Sequence, residues 1–322
     1  MLRLSATTLP GPCHRGSAGT GNRAMSDAAH RHRNRRGMLL AVAATLMFAC
    51  ADTLSKFLAS RYPVNQVAFA RYSVPMVLLA IVYGPRRGRA LLATSQPGLQ
   101  VLRGLLLTGA TLSIVLAMHL MPIAEAQAIS FVHPLLLTLI AVLFLRERVH
   151  PSAWLAVAIG FAGVLLIVRP GGGYATPAAL LPLAMALCYA SYQALTRHVT
   201  ASDSPVNSLF LVMLVGSTAT AASLPFSHGR TDLRGALLLA CAGLFSGSGH
   251  FCMIHALRSS PASRLAPLAY VQVAWIIVLG AWAFGNVPKG WTLLGIGLVV
   301  AGGLVATLGR KAPGVPVPAG LA

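Results

Sequence analysis

Acidic residues are almost missing from this chain: Asp and Glu together number 6 of 322 residues, and only 10% of positions carry a charge. A soluble domain of this length is about a quarter charged, so a water-exposed globular surface is excluded. So few acids form no clustered pair for general acid and base work. No nucleophile stands with a base, which argues against the alternative of an integral membrane enzyme acting on lipid-linked substrates. The five cysteines (Cys13, Cys50, Cys188, Cys241 and Cys252) show no CxxC spacing and read as free thiols. His119, His133, His250 and His255 show no HExxH or related spacing, so neither a metal nor any other cofactor is expected. The first 36 residues contain no apolar core of about 7 to 15 residues and therefore no secretory signal peptide. They are polar, end in HRHRNRR, and read as a disordered basic tail (1–36), with Met25 a second candidate start.

What the chain has instead is apolar length. Hydrophobic residues make up 56% of it and the mean hydropathy is +0.72. A bilayer-crossing helix needs about 20 mostly apolar residues. Ten segments qualify: 37–60, 64–83, 100–120, 123–145, 152–169, 177–197, 206–226, 234–256, 262–284 and 290–309. The formal charge of +19 does not indicate nucleic acid, because the basic residues sit between the apolar runs and form no stripe. Their distribution sets an orientation. With the N-terminus inside, Arg31, Arg33, Arg35, Arg36, Arg86, Arg87, Arg89, Arg146, Arg148, Arg197, Arg258, Arg264, Arg310 and Lys311 lie on the cytoplasmic side. Arg61, Arg169, Arg230, Arg234 and Lys289 lie opposite. Both termini are then cytoplasmic, the last being a tail over 310–322.

The chain also repeats itself. Phe48 to Lys56 reads FACADTLSK and Tyr189 to Arg197 reads YASYQALTR; Pro63-Val64-Asn65 is echoed by Pro205-Val206-Asn207, and His119 by His255. Each copy (37–169 and 177–309) holds five spans. An odd number of crossings inserts the second copy upside down relative to the first. The predicted fold is therefore all-α, an integral membrane protein of ten transmembrane helices in two inverted five-helix repeats. Inverted repeats underlie alternating access around a midplane site at the repeat interface.

Ionisable groups at membrane depth are costly and face a cavity or a partner. Asp52 and Lys56 stand four residues apart on one helix face, and Arg71 lies within the second span. Together they leave one positive charge over, either to hold an anionic or carboxylate group or as a structural ion cluster whose long side chains snorkel. Asp52 aligns with Gln193 in the other copy, and Tyr192 and Gln193 would add hydrogen bonds and an aromatic wall, or act as interhelical glue. His133 precedes Pro134 in the middle of the fourth span, where a proline frees a carbonyl and breaks the helix. Its counterpart is Tyr270-Val271-Gln272, followed by Trp275, a set suited to a flat or amphipathic organic molecule or simply to packing. Asp52 and His133 are the coupling candidates. Glu125 is a third, although capping of the fourth span explains it as well. Gly160 and Gly163 in the fifth span, and Gly297 and Gly302 in the tenth, allow close helix approach and read as scaffold or homodimer contacts.

The run PIAEAQAISFVHPLLLTLIAVLFLRERV (Pro122 to Val149) and the Gly-rich WLAVAIGFAGVLLI (Trp154 to Ile167) resemble the EamA family of the drug/metabolite transporter superfamily. Ser259 to Gly303 looks like the second copy. Pro134, Glu147, Gly160 and Gly163 occupy the places of that family's mid-helix proline, terminal glutamate and glycine-rich helix. The second copy departs from the pattern at Phe284-Gly285-Asn286, so Glu147 is expected to be a structural anchor without a symmetric partner. The resemblance implies a bacterial inner-membrane secondary transporter of a small metabolite such as an amino acid or vitamin, more often an exporter.

Overall fold

The computed structural model describes residues 18–143, 151–168, 177–199, 203–226, 231–259, 266–285 and 287–308. The helices are α1 (Ala18–Ala59), α2 (Val64–Arg87), α3 (Pro97–Leu120), α4 (Ile123–Ser130), α5 (His133–Leu143), α6 (Pro151–Val168), α7 (Leu180–Val199), α8 (Pro205–Ala221), α9 (Leu233–Ser259), α10 (Val271–Phe284) and α11 (Gly290–Leu308). Five spans are long and apolar enough to cross a bilayer, and five shorter apolar helices complete the ten. No strand occurs among the described residues. The chain folds as ten transmembrane helices in two inverted five-helix repeats.

Helix boundaries follow local chemistry. Pro97 and Pro205 open α3 and α8, where the missing N–H would have had no partner. Gly285, at φ 66°, closes α10 in the left-handed region and returns its amide to the Ala281 carbonyl. The departure from the family pattern at Phe284-Gly285 is thus a helix stop. α1 starts at Ala18, so residues 18–36, expected as a tail, continue the first helix. Their Ala and Arg content favours helix even though no apolar face is present.

The fourth span is broken as its proline predicts. α4 ends at Ser130, the Phe131 amide bonds the Gln127 carbonyl at 2.9 Å, and α5 restarts at His133. In the ninth span a 3₁₀ turn over Ala266–Tyr270 precedes α10. Phe131 and Tyr270, each two residues before His133 and Gln272 respectively, meet with ring centroids 5.8 Å apart.

Packing obeys the same two-fold relation. The extensive helix pairs are α1 with α9 and its mate α3 with α7, then α2 with α8 and α6 with α11, each joining the two repeats. Within lipid these contacts rest on close packing. A Cβ on Gly163 would lie 2.7 Å from the Gly295 carbonyl oxygen, and one on Gly295 would lie 2.8 Å from the Gly163 oxygen, so α6 and α11 touch backbone to backbone. Gly160 packs on Leu135, while Gly297 faces open space and Gly302 is buried. Many hydroxyls, among them Ser55, Thr108, Ser130 and Thr220, donate to the carbonyl four residues back, which satisfies them without a partner helix.

Candidate functional site

A cavity of about 140 Å³ lies where the repeats meet, lined by residues of α1, α2, α3, α4, α5, α7, α8, α9 and α10. Asp52 of α1 stands in its wall, 5% exposed. Arg71 Nη1 donates to Asp52 Oδ1 at 2.7 Å and to Ser55 Oγ at 3.0 Å. The other carboxylate oxygen accepts from two amides: Gln127 Nε2 at 2.8 Å and Gln272 Nε2 at 3.3 Å. Gln127 belongs to the first repeat and Gln272 to the second, so one carboxylate is gripped from both halves. A desolvated ion pair is tolerated only when its remaining polar atoms are satisfied, and here three donors converge on Asp52.

The rest of the wall mixes aliphatic and hydroxyl side chains, among them Thr45, Ile114, Met185, Met213 and Ser246, with six rings. Phe48, Tyr72, Phe131, His133, Tyr189 and His250 all face the cavity. His133 Nδ1 lies 3.1 Å from the Ser130 carbonyl, which the helix break has freed. Tyr72 donates to the Leu107 carbonyl at 2.8 Å and pairs with Thr111 Oγ1 at 2.6 Å. A neutralised ion pair, two amides and a ring of π-faces suit a planar polar molecule better than a lone anion.

Of the residues expected from sequence, Asp52, Arg71, His133 and Gln272 come together in this cavity. Lys56 does not join them. Its Nζ donates to the Met118 and Met121 carbonyls at 2.8 and 3.0 Å and lies 5.5 Å from the centre of the Phe284 ring, so it ties the end of α3 and adds no positive surplus beside Asp52. Tyr192 forms a second layer, stacked on Tyr189 at 5.8 Å with the Arg103 guanidinium 5.2 Å over its own ring. Gln193 is half-buried on α7 and outside the cavity wall. Tyr270 and Trp275 pack behind the wall, and neither the Tyr270 hydroxyl nor the Trp275 Nε1 has a hydrogen-bond partner among the described residues. Glu125 is buried near the Lys56 end, its Oε2 without a partner among them, and it does not reach the cavity. Pro134 sits one residue past the break; Glu147 lies outside the described residues. Among the described residues no cluster of His, Cys, Asp or Glu could hold a metal ion.

Sequence reasoning missed Gln127, Tyr189 and His250 as cavity residues, although an amide in an apolar span and the first residue of the YASYQALTR echo were both signals. It also missed a polar knot at the Arg87 end. Arg103 of α3 is 2% exposed and donates to Ser208 Oγ at 2.7 Å, Gln100 Oε1 at 2.5 Å and Thr196 Oγ1 at 3.1 Å. Gln100 Nε2 in turn donates to Asp203 Oδ2 at 2.8 Å, and the Ser95 amide and hydroxyl donate to Oδ1 at 3.0 and 2.9 Å. Burial alone would push the Asp203 carboxyl up, but these bonds and one from Thr94 hold it well below the usual carboxylate range.

Ten spans in two inverted repeats around a cavity lined from both halves define a multi-pass membrane transporter. The model of the EamA-like transporter family matches residues 35–169 and again 176–308, and the chain belongs to that family. It is 27% identical to a riboflavin transporter of Vibrio cholerae over 84% of this chain and 92% of that protein. It is 28% identical to a riboflavin transporter of Rhizobium johnstonii over 83% and 89%. An S-adenosylmethionine uptake transporter of Rickettsia conorii matches at 26% over 77% and 84%. A solved crystal structure shares the fold with a TM-score of 0.62 at 20% identity, covering 84% of this chain and 96% of its own. The protein is a multi-pass transporter of small metabolites in the bacterial inner membrane.

Proposed function

We propose that this chain carries a planar, nitrogen-containing heteroaromatic metabolite, a vitamin such as riboflavin or a nucleoside-like compound, by alternating access. The observation that carries this reading is Asp52, paired with Arg71 and gripped by Gln127 from one repeat and Gln272 from the other. Rocking the repeats apart must exchange one of those amides, so ligand contact and conformation are coupled at one carboxylate. Riboflavin and S-adenosylmethionine, the molecules in the relatives' names, share a flat nitrogen heterocycle, which suits the rings of the cavity wall.

Direction is proposed as inward. The family resemblance leans toward export, but the Rickettsia relative is named for uptake. Orientation is proposed from the arginine count, with the Arg87 end and both termini cytoplasmic. Of the coupling candidates, Asp52 has the geometry: a proton on it would disrupt the Arg71 bond, whereas His133 would act through its ring contacts and Glu125 from outside the cavity. A homodimer through the outward faces of α6 and α11 is proposed on Gly297, whose missing side chain opens to the surroundings.

The test is uptake of radiolabelled riboflavin and S-adenosylmethionine into proteoliposomes, wild type beside Asp52→Asn. Saturable wild-type uptake abolished in a folded Asp52→Asn supports the reading. Uptake of neither compound, or an unchanged variant, overturns it.

A further inference from the structure

Phe48 and Tyr189 open the echoed runs FACADTLSK and YASYQALTR and so occupy equivalent places in the two repeats. Each meets a histidine edge to face: Phe48 meets His250 with centroids 4.9 Å apart and planes at 72°, and Tyr189 meets His133 at 4.9 Å and 83°. All four rings line the central cavity. The repeat duplicates the arene, but different elements supply the imidazole, α5 for His133 and α9 for His250.

The two histidines differ in what remains for a ligand. His133 has one ring nitrogen at the Ser130 carbonyl. The His250 ring makes no hydrogen bond to the protein among the described residues, and it is half-buried. It stands between the central cavity and a second, apolar cavity of about 370 Å³ lined by α2, α8 and α9. Its position is nevertheless fixed. A Cβ on the preceding Gly249 would fall 2.7 Å from Phe48 Cε1, so the bare glycine lets the Phe48 ring seat against α9 beside His250. A histidine at a cavity wall, locked by packing and with its nitrogens uncommitted to the protein, is built to bond something that comes and goes. Imidazole supplies both a donor and an acceptor, which matches the alternating ring nitrogens and carbonyls at the edge of a heteroaromatic molecule.

We propose that His250, held by Phe48, is a specificity-determining residue that selects the heteroaromatic ligand through a hydrogen bond to its polar edge. This rests on the heteroaromatic reading of the cavity given above. A site built to bond a polar edge discriminates against molecules that lack it, because its own group is left unpaired.

The experiment is equilibrium binding of riboflavin and of S-adenosylmethionine to the full-length protein in nanodiscs. His250→Phe keeps a flat ring and removes both nitrogens; His250→Gln keeps a donor and an acceptor. His250→Phe is expected to weaken binding about tenfold, the size of one net hydrogen bond, and His250→Gln by less than about threefold. Phe48→Leu is expected to weaken binding through loss of positioning. A second measurement needs no variant: bound ligand should protect His250 from diethylpyrocarbonate, read by mass spectrometry on wild-type protein. Wild-type binding with His250→Phe within about twofold of it, or with His250 modified equally with and without ligand, overturns this inference alone. Wild-type protein that binds neither probe overturns the heteroaromatic reading and this inference with it.

Discussion

Asn65 and Asn207 hold equivalent positions in the two repeats, and each reaches across to the end of the other repeat's helix. Asn65 Nδ2 donates to the Ser223 carbonyl at 2.9 Å and to Ser223 Oγ at 3.2 Å, just past α8; Asn207 Nδ2 donates to the Ala90 and Ala93 carbonyls at 2.7 and 3.2 Å, just past α2. Because α2 and α8 run antiparallel, the two amides clamp one helix pair at both ends.

Replacing either asparagine leaves carbonyls without their donor. Asn65→Ala and Asn207→Ala should each destabilise the protein by about 1–3 kcal/mol. Both side-chain oxygens also accept, Asn65 Oδ1 from the Gln66 amide at 3.1 Å and Asn207 Oδ1 from Arg87 Nη1 at 2.9 Å; because the second donor is charged, Asn207→Ala should cost more. Thermal unfolding in detergent checks the order, and equal stability to wild type would refute the clamp.

The Asp52–Arg71 pair should be more sensitive to losing one partner than to losing both. Removing one member of a buried pair costs about 3–5 kcal/mol, whereas replacing both with neutral groups of similar size costs far less. Asp52→Asn alone is therefore expected to lower the unfolding temperature more than Asp52→Asn with Arg71→Gln. A double mutant less stable than the single would contradict this.

The Asp203 knot makes stability depend on acid. Its folded carboxyl lies below the ordinary value of about 4, so its contribution is complete above that pH and is lost as pH falls toward the folded value. Asp203→Asn should be less stable than wild type at pH 7 by about 1.5–3 kcal/mol, the scale of a hydrogen bond to an ionised group. The gap should narrow below about pH 4. A gap that stays constant across that range would place the stabilisation elsewhere.

Backbone contact between α6 and α11 predicts a sharp contrast among glycines. Gly163→Val must push the α11 backbone away and should cost about 3 kcal/mol or more, at the top of the overpacking range. Gly297→Ala meets nothing among the described residues and should stabilise the monomer by up to about 1 kcal/mol through helix propensity. Destabilisation by Gly297→Ala that depends on protein concentration would instead reveal a partner at that face.

The ten spans, their inverted duplication and the break before Pro134 were legible in the sequence because each is a local property: apolar length, repeated words and a missing N–H. Asp52, Arg71 and His133 were legible as cavity candidates because charge and imidazole are conspicuous in an apolar span, and all three line the central cavity. Lys56 was equally conspicuous but turned to the α3 carbonyls, since one helical turn along α1 carries it out of the cavity toward the chain end. Gln127 and Phe48 were hidden because amides and phenyl rings are ordinary in membrane helices, and only their neighbours give them a role.

By itself, then, the sequence determined a ten-helix membrane protein with two opposed halves, because the bilayer penalises every unpaired backbone group and leaves helices as the solution. Tertiary structure alone decided which polar groups meet: that Gln127 and Gln272 converge on one oxygen of Asp52, that Asp203 bonds a loop of the other repeat, and that Phe48 seats beside His250. Those meetings join residues 75 to 220 positions apart, and the pairing of helices across the two-fold relation, with no local signal, sets each of them.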